Sequence, residues 1–323
     1  MEKKNNTTMD KIQEQELLEF YKIDDETAEK VARTIFAKYT HGKQTSNRPF
    51  AVIVLGQPGA GKSGLMTYTS NQFPSAVALD IDDLREYYPR YDEVKVNHPS
   101  IYERVTGSFA TQMVIQYLTP WLIANKYDLV LHKTRADEKI ITDTLEPLQE
   151  DGYETVMRII AVHELESKMS TLERSLEQRR RLGYCRWVET SYHNAQYNGI
   201  VDLATQLEQG GVDAIEVYVR GEVPVEPRLV YSKVLNENIY TNPHMVTADG
   251  EPVIVDYKTE DYPSVKDAIK SARDQDVEKI LETIPGRMEY VGCLTTPNDK
   301  ANEFIGEIKI LQQLYSSKNT YTD

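Results

Sequence analysis

Hydrophobic positions change their rhythm three times along the chain. Residues 9–41 show helical spacing: Ile12, Leu17, Leu18 and Phe20 within Met9–Tyr21 predict one helix, and Asp25–Tyr39 predicts a second. Asp24 or Asp25 is a suitable N-cap for the second, and Gly42 stands just past its end. After a polar linker, Gly42–Arg48, short continuous apolar runs alternate with helical stretches. The runs Phe50–Leu55, Ala76–Leu79, Asp128–Leu131, Val156–Val162 and Ala214–Val219 predict strands. Helices are predicted over Gly64–Gln72, Ile101–Ile123 with a break near Pro120, Glu138–Gln149, and Glu164–Leu182 closed by Gly183. Strands that are apolar on both faces and separated by helices imply an α/β fold, a mostly parallel sheet flanked by helices on both sides.

The alternation ends near Glu222. Val223–Pro227 is a proline-punctuated connector, and Met245–Thr247 and Val253–Val255 flank Asp249 and Gly250 as a hairpin would. Ser264 is placed to cap a helix reaching Gln275, a second amphipathic run covers Asn302–Tyr315, and Ser316–Asp323 reads as a frayed end. The predicted division is an N-terminal helical extension (1–46), a core α/β domain (47–222) and a small C-terminal α+β module (223–323).

Composition narrows the partners. Of 323 residues, 51 are Asp or Glu and 37 Lys or Arg, a net charge of -14 that would repel a phosphate backbone and argues against nucleic acid. The cysteines, Cys185 and Cys293, are too few and too far apart for a disulfide framework, which suits a reducing compartment. Met1–Thr8 is polar, with no apolar segment of a signal peptide, and the longest apolar run is far shorter than a membrane span. The expectation is a cytoplasmic protein with no membrane partner.

Candidate chemistry begins where the first core strand ends. Gly56, Gln57, Pro58, Gly59, Ala60, Gly61, Lys62 and Ser63 spell G-x-x-x-x-G-K-[ST] between an apolar strand and a helix. Glycines let the backbone turn its N–H groups inward on phosphates, the lysine reaches the β- and γ-phosphates, and the serine hydroxyl coordinates Mg²⁺. The reading is a P-loop NTPase-type fold that uses ATP and Mg²⁺, with Ser63 as the metal ligand. The second strand runs into Asp80, Asp82 and Asp83. Ligands of open α/β sheets bind beyond the carboxyl ends of strands, so these acids are expected to face the loop. Period-2 alternation would put Asp80 and Asp82 on one side, with Asp83 left to start the next helix. A carboxylate there could serve as base for a phosphoryl acceptor.

These segments together resemble the zeta toxin/PezT family of P-loop kinases: Leu55–Ser63, then Val77–Pro89, then Tyr91, Asp92 and Glu93, and more loosely Gly152–Thr155, Ala161, Val162 and Thr171–Arg174. The resemblance covers roughly residues 48–220. It implies phosphorylation of UDP-N-acetylglucosamine at the sugar 3′-hydroxyl, and a role as the toxin of a toxin–antitoxin pair. On this likeness Asp82 stands at the catalytic base, Lys62 and Ser63 keep their loop roles, and Arg174 and Arg186 stand at the phosphate-clamping arginines. The acceptor-binding strip departs from the family pattern. Where an E-G-T-x-R-like segment is expected, this chain has Leu131, His132, Lys133, Thr134 and Arg135, so His132 replaces the acid, Thr134 is kept and Arg135 is displaced by one. Gln116 likewise replaces a helix acid. The candidate substrate residues are therefore Asp80, His132, Thr134 and Arg135.

Independently of family, Arg174, Arg179, Arg180, Arg181 and Arg186 lie on or just after one long helix, where Glu164, Glu166, Glu173 and Glu177 could be their local partners. Rival readings remain open at this point. Asn125, Lys126 and Asp128 spell the guanine motif N-K-x-D after the apolar Trp121–Ile123, although no D-x-x-G lies between Ser63 and Asn125. A kinase of another small metabolite, such as a nucleoside or a nicotinamide dinucleotide, and a nucleotide-binding interaction protein without catalysis, are the others. A protein antitoxin or inhibitor is an expected partner, as is a small-molecule phosphoryl acceptor.

Overall fold

The computed structural model describes residues 11–133, 136–183, 185, 187–221, 226–236, 261–275, 277–294 and 299–319. The predicted hairpin around Asp249 lies outside them. The chain forms two compact units: residues up to 43 together with 79–125, and 44–78 together with residues from 126 onward.

The first unit is helical. It opens with α1 (Lys11–Phe20) and α2 (Asp25–Thr40). Asp24 caps α2 as expected, its carboxylate accepting the Thr27 N–H at 2.8 Å. Ala28, Ala32 and Ile35 form the buried stripe of α2, and Phe36 meets Trp121 edge-on at 5.7 Å. Tyr21 is buried, its carbonyl accepting the Tyr88 hydroxyl.

The second unit opens on β1 (Phe50–Leu55), wholly buried, and α3 (Lys62–Gln72), which leads to β2 (Val77–Leu79). The chain then returns to the first unit with α4 (Ile81–Leu84), a 3₁₀ turn over Arg85–Tyr87, α5 (Tyr91–Asn97) and α6 (Tyr102–Gln112). The break anticipated near Pro120 is a single wide turn: Met113–Leu118 is π-helical and runs into α7 (Thr119–Ala124), whose first turn holds Pro120. A proline has no N–H to give the preceding turn, and a π-bulge is a common way for a helix to absorb that loss.

From residue 126 the second unit resumes with β3 (Leu129–Lys133), α8 (Glu138–Glu150), β4 (Glu154–Ala161), α9 (Glu164–Leu182), α10 (Thr190–Glu208), β5 (Ala214–Val219), β6 (Arg228–Val234), α11 (Val265–Asp274), α12 (Val277–Leu294) and α13 (Asp299–Asn319). The six-stranded sheet has the order β2-β3-β1-β4-β5-β6. β3, β1, β4 and β5 are parallel, in the registers Ile53↔Leu131, Ile53↔Met157 and Arg158↔Glu216, and β6 is antiparallel to β5. This is the mostly parallel sheet the apolar runs predict. Its core joins Phe50, Val52 and Val54 to Leu65, Phe73, Val130, Ile160 and Tyr218.

Besides α5, further elements go beyond the sequence reading. α10 is not predicted above, nor is α12, and β6 extends the main sheet where a separate module was expected. Helices α12 and α13 bury Ile284, Val291, Leu294, Phe304 and Ile308 against Leu165, Met169, Leu172 and Leu176 of α9. Gly183 and Ser264 do act as helix signals: Gly183 closes α9 at φ +78°, and Ser264 accepts the Asp267 N–H at 3.2 Å. Among the described residues no helix is long and apolar enough to cross a membrane.

α10 carries a fully buried histidine, His193, whose Nε2 lies 3.0 Å from the Ser167 hydroxyl. Burial, helped by the nearby Lys168 ammonium, pushes its pKa down to about 4. The unfolded chain therefore binds a proton near pH 6.5 that the native state refuses until about pH 4. The stability tied to a neutral His193 is complete above pH 6.5 and shrinks as pH falls through that window. The expected result is a melting temperature that drops between pH 6.5 and 4, with a shallower slope in His193→Gln; identical slopes would contradict it.

Candidate functional site

The phosphate loop leaves the C-terminal end of β1 and closes on the first turn of α3. Three contacts shape it. The Gln57 side chain, fully buried, donates from Nε2 to the Val162 carbonyl just past β4 at 2.8 Å. The Ala60 N–H returns to the Gln57 carbonyl at 3.1 Å. Lys62 Nζ donates to that same carbonyl at 2.9 Å. Gly59 and Gly61 sit at φ +75° and +96°, in the left-handed region that side chains avoid. At Gly59 space is a second constraint, because an added Cβ would run into the Ser167 carbonyl and the Thr171 hydroxyl of α9. The loop thus lies directly on α9.

No side chain caps α3 at Gly61. The end of an 11-residue helix, with its partial positive charge, is left facing the loop. Lys62 is buried at 7% exposure while Ser63 is exposed. A lysine folded back on a loop carbonyl, beside a helix N-terminus and glycine-turned backbone, forms a cradle for an anion.

Beside the loop, β3 ends in His132 and Lys133, in register with Val54 and Leu55 of β1. Both are partly buried, and burial lowers the pKa of the Lys133 ammonium below the ordinary lysine value. Thr134, Arg135 and Arg186 lie outside the described residues. Arg174 is on an exposed face of α9. Glutamates of α9 reach groups elsewhere in the chain. Glu166 holds Arg220 and Arg287, Glu173 holds Arg287, and Glu177 accepts from the Tyr290 hydroxyl.

Arg220, missed in the sequence, is the most direct addition to the site. It follows the last residue of β5, donates from Nη2 to the Gly59 carbonyl, and pairs with Glu166 at 2.7 Å. Its Nε would stand 3.1 Å from a Cβ on Gly61. A usable signal existed: β5 is parallel to β4 and β1, so a polar residue just past its end lies on the ligand-binding edge of the sheet.

The carboxylates belong to the helical unit, and their local geometry corrects the alternation argument. The strand stops at Leu79, and Asp80 is the N-cap of α4, its Oδ1 accepting the Asp82 N–H at 2.9 Å. Asp80 and Asp82 are therefore not successive same-side residues of a strand. Asp82 is exposed on the first turn of α4 and accepts from Arg85 Nε at 2.9 Å. Arg85 is fixed in turn by the Glu103 carboxylate at 3.0 Å, the Glu103 carbonyl at 3.1 Å and the Thr106 hydroxyl at 3.2 Å. This second layer sets the direction of Asp82.

The guanine motif fails on geometry. Trp121–Ile123 belongs to a helix, and Asn125 Nδ2 donates back to the Trp121 carbonyl. Asp128 is buried and accepts the Phe50 N–H at 3.1 Å, at the start of β1. The phosphate loop follows the other end of that strand, roughly 17 Å away at ~3.3 Å per residue. Among the described residues, no group of three or more His, Cys, Asp or Glu could hold a metal ion by itself.

Residues 36–226 match the model of the Zeta toxin family. The toxin PezT of Streptococcus pneumoniae is 28% identical over 200 residues, 61% of this chain and 78% of that protein. The toxin zeta of Enterococcus hirae is 30% identical over 137 residues, 41% of this chain and 46% of that protein. Among solved structures, one from the PezAT chromosomal toxin–antitoxin system of Streptococcus pneumoniae superposes with a TM-score of 0.65, covering 84% of this chain and 98% of that one at 22% identity. The family match takes in more than half of the chain, and the protein belongs to the zeta toxin family of kinases, an enzyme that transfers phosphoryl groups.

Proposed function

We propose that this protein transfers the γ-phosphoryl of ATP to a hydroxyl of a sugar nucleotide, with UDP-N-acetylglucosamine as the acceptor implied by the family. The observation that carries the reading is the loop itself: glycine-turned backbone, the uncapped N-terminus of α3 and the buried Lys62 form an anion cradle at the end of a parallel strand. In this reading Lys62 leaves the Gln57 carbonyl for the phosphates. Ser63 would supply one hydroxyl oxygen to a Mg²⁺ ion held with the nucleotide. Ser63 is exposed on the first turn of α3, which suits that role. When bound, the ion neutralises charge on the phosphates.

Asp82 is proposed as the base that receives the proton of the acceptor hydroxyl as its oxygen attacks phosphorus. The Arg85 contact supports a fixed carboxylate, which is what orientation in the transition state requires. Arg174 and Arg186 are proposed as phosphate-clamping residues, and Asp80, His132, Thr134 and Arg135 as acceptor contacts, on the family likeness. Asp82→Asn keeps the size and removes the base, so kcat should fall by about 10²–10⁴-fold with little change in KM for ATP. An unchanged kcat would remove Asp82 from the mechanism.

A specific observation favours a second reading of the acceptor. His132, the penultimate residue of β3, lies next to the loop strand, at the place where the family pattern has a carboxylate. Histidine cannot act as an acceptor-only group. This supports a different alcohol, such as a nucleoside or a nicotinamide dinucleotide, on the same scaffold. The pneumococcal neighbour comes from a toxin–antitoxin system, which supports a protein antitoxin as a partner of this chain.

A further inference from the structure

A chain of contacts joins the phosphate loop to the C-terminal helix α12. The peptide between Gly59 and Ala60 is pinned on both sides: its carbonyl accepts from Arg220 Nη2, and its N–H donates to the Gln57 carbonyl at 3.1 Å. Arg220 is not placed by the loop alone. Its Nη1 is held by Glu166 Oε1 at 2.7 Å and by the Ser170 hydroxyl at 3.1 Å. Glu166 and Ser170 are shared: the other carboxylate oxygen of Glu166 accepts from Arg287 Nη1, and the Ser170 hydroxyl lies 3.2 Å from Arg287 Nη2. Arg287 is itself locked by a two-pronged contact to Glu173, at 2.9 and 2.6 Å.

Both guanidinium groups also line one cavity of about 320 Å³, walled further by His163, Lys279 and Thr283. Two arginines around one glutamate make an arrangement whose members cannot move independently, because releasing Arg287 leaves Glu166 to redistribute its contacts. A fork–fork pair of this kind fixes orientation as well as energy. The C-terminal helices pack on the same α9 against which Gly59 lies, so the connection is short and built on rigid elements.

We propose that Arg220 is a positioning residue for the phosphate loop, and that Arg287 of α12, acting through Glu166, sets how firmly the loop grips a nucleoside triphosphate. The inference rests on the reading of the loop as a triphosphate site. It gives the C-terminal helices a part in nucleotide affinity beyond covering α9.

The test is a double-mutant cycle on the full chain, read as the dissociation constant of AMP-PNP with Mg²⁺ by titration calorimetry. Arg220→Ala should weaken binding by about tenfold, and Arg287→Met, which keeps the aliphatic stem on α9, by about three- to tenfold. In the Arg220→Ala background Arg287→Met should cause no further loss, and Arg287→Lys should recover part of the affinity. A structural role for Arg287 would lower the melting temperature and weaken binding equally in both backgrounds; that result overturns the proposal. So does native affinity in Arg220→Ala. Lys62→Ala separates the two levels: if it binds as well as the native chain, the loop reading and this inference fall together. If it loses binding while Arg220→Ala does not, only the inference falls.

Discussion

Lys62→Ala is expected to lower phosphoryl transfer by at least about 10²–10³-fold, the usual effect of removing one group that stabilises developing charge in a closed site. The side chain is almost fully buried, and its ammonium donates to the Gln57 carbonyl within its own loop. This bond ties the ammonium back onto its own loop. The strand and helix on either side of the loop are held by their own apolar core of Val52, Val54, Leu65 and Phe73, so the fold should persist, with a melting temperature near that of the native chain. A kinase assay with ATP and a thermal melt on the same preparation check both halves. Full activity in the variant would show that the loop does not serve the triphosphate.

The largest effect on stability is expected at Arg158, in the middle of β4. Arg158 and Glu216 face each other in the parallel β4–β5 register, and both side chains are 3% exposed. The guanidinium Nε donates to Glu216 Oε2 at 2.8 Å, and Nη1 reaches the Thr69 hydroxyl at 3.0 Å and the Gln72 side-chain oxygen at 2.6 Å, both on α3. The Tyr218 hydroxyl adds a 2.9 Å bond to Glu216, and the Phe73 and Tyr218 rings flank the guanidinium at 5.4 Å each. Desolvation makes such a pair a poor net source of stability, yet breaking it strands a charge in the core. Arg158→Ala should therefore cost about 3–5 kcal/mol, which lowers the melting temperature by roughly 10 °C in a domain of this size. The paired change Arg158→Met with Glu216→Leu removes both charges and should recover much of the loss. A single variant as stable as the native chain would mean that water reaches this pair.

How far the sequence carried the structure depends on the range of the interaction concerned. The parallel strands were legible because each is buried on both faces and reads as an unbroken apolar run; even β4, with Arg158 inside it, keeps enough Val, Ile and Met on either side. Caps at Asp24, Ser264 and Gly183 were legible because a cap is a local hydrogen bond. α10 was not, because its buried face includes Thr190, His193 and Gln196, which look polar until their partners are known. α12 carries Pro285 and Gly286 within the helix, signals that ordinarily mark an end.

The same distinction separates the parts of the site. The loop could be read from eight consecutive residues, since its chemistry is in its own backbone and Lys62. Asp80 was misplaced because one residue decides whether a strand continues or a helix begins, and its own carboxylate settles that by capping α4. The N-K-x-D tetrapeptide, held only as a rival reading, shows the opposite case: the right letters sit at the wrong end of strand β1. Arg287 gave no sequence signal at all. Its partners Glu166 and Glu173 are more than a hundred residues away.

The central claim is that this chain moves phosphate from ATP to an alcohol. Incubating the purified full chain with γ-labelled ATP, Mg²⁺ and UDP-N-acetylglucosamine, alongside a panel of nucleosides and dinucleotides, and following the label by mass spectrometry addresses it directly. The expected result is one acceptor that gains a single phosphoryl group in the native chain and none in Asp82→Asn or Lys62→Ala. Label that stays in ATP, or that appears only as inorganic phosphate with every acceptor, would contradict the account.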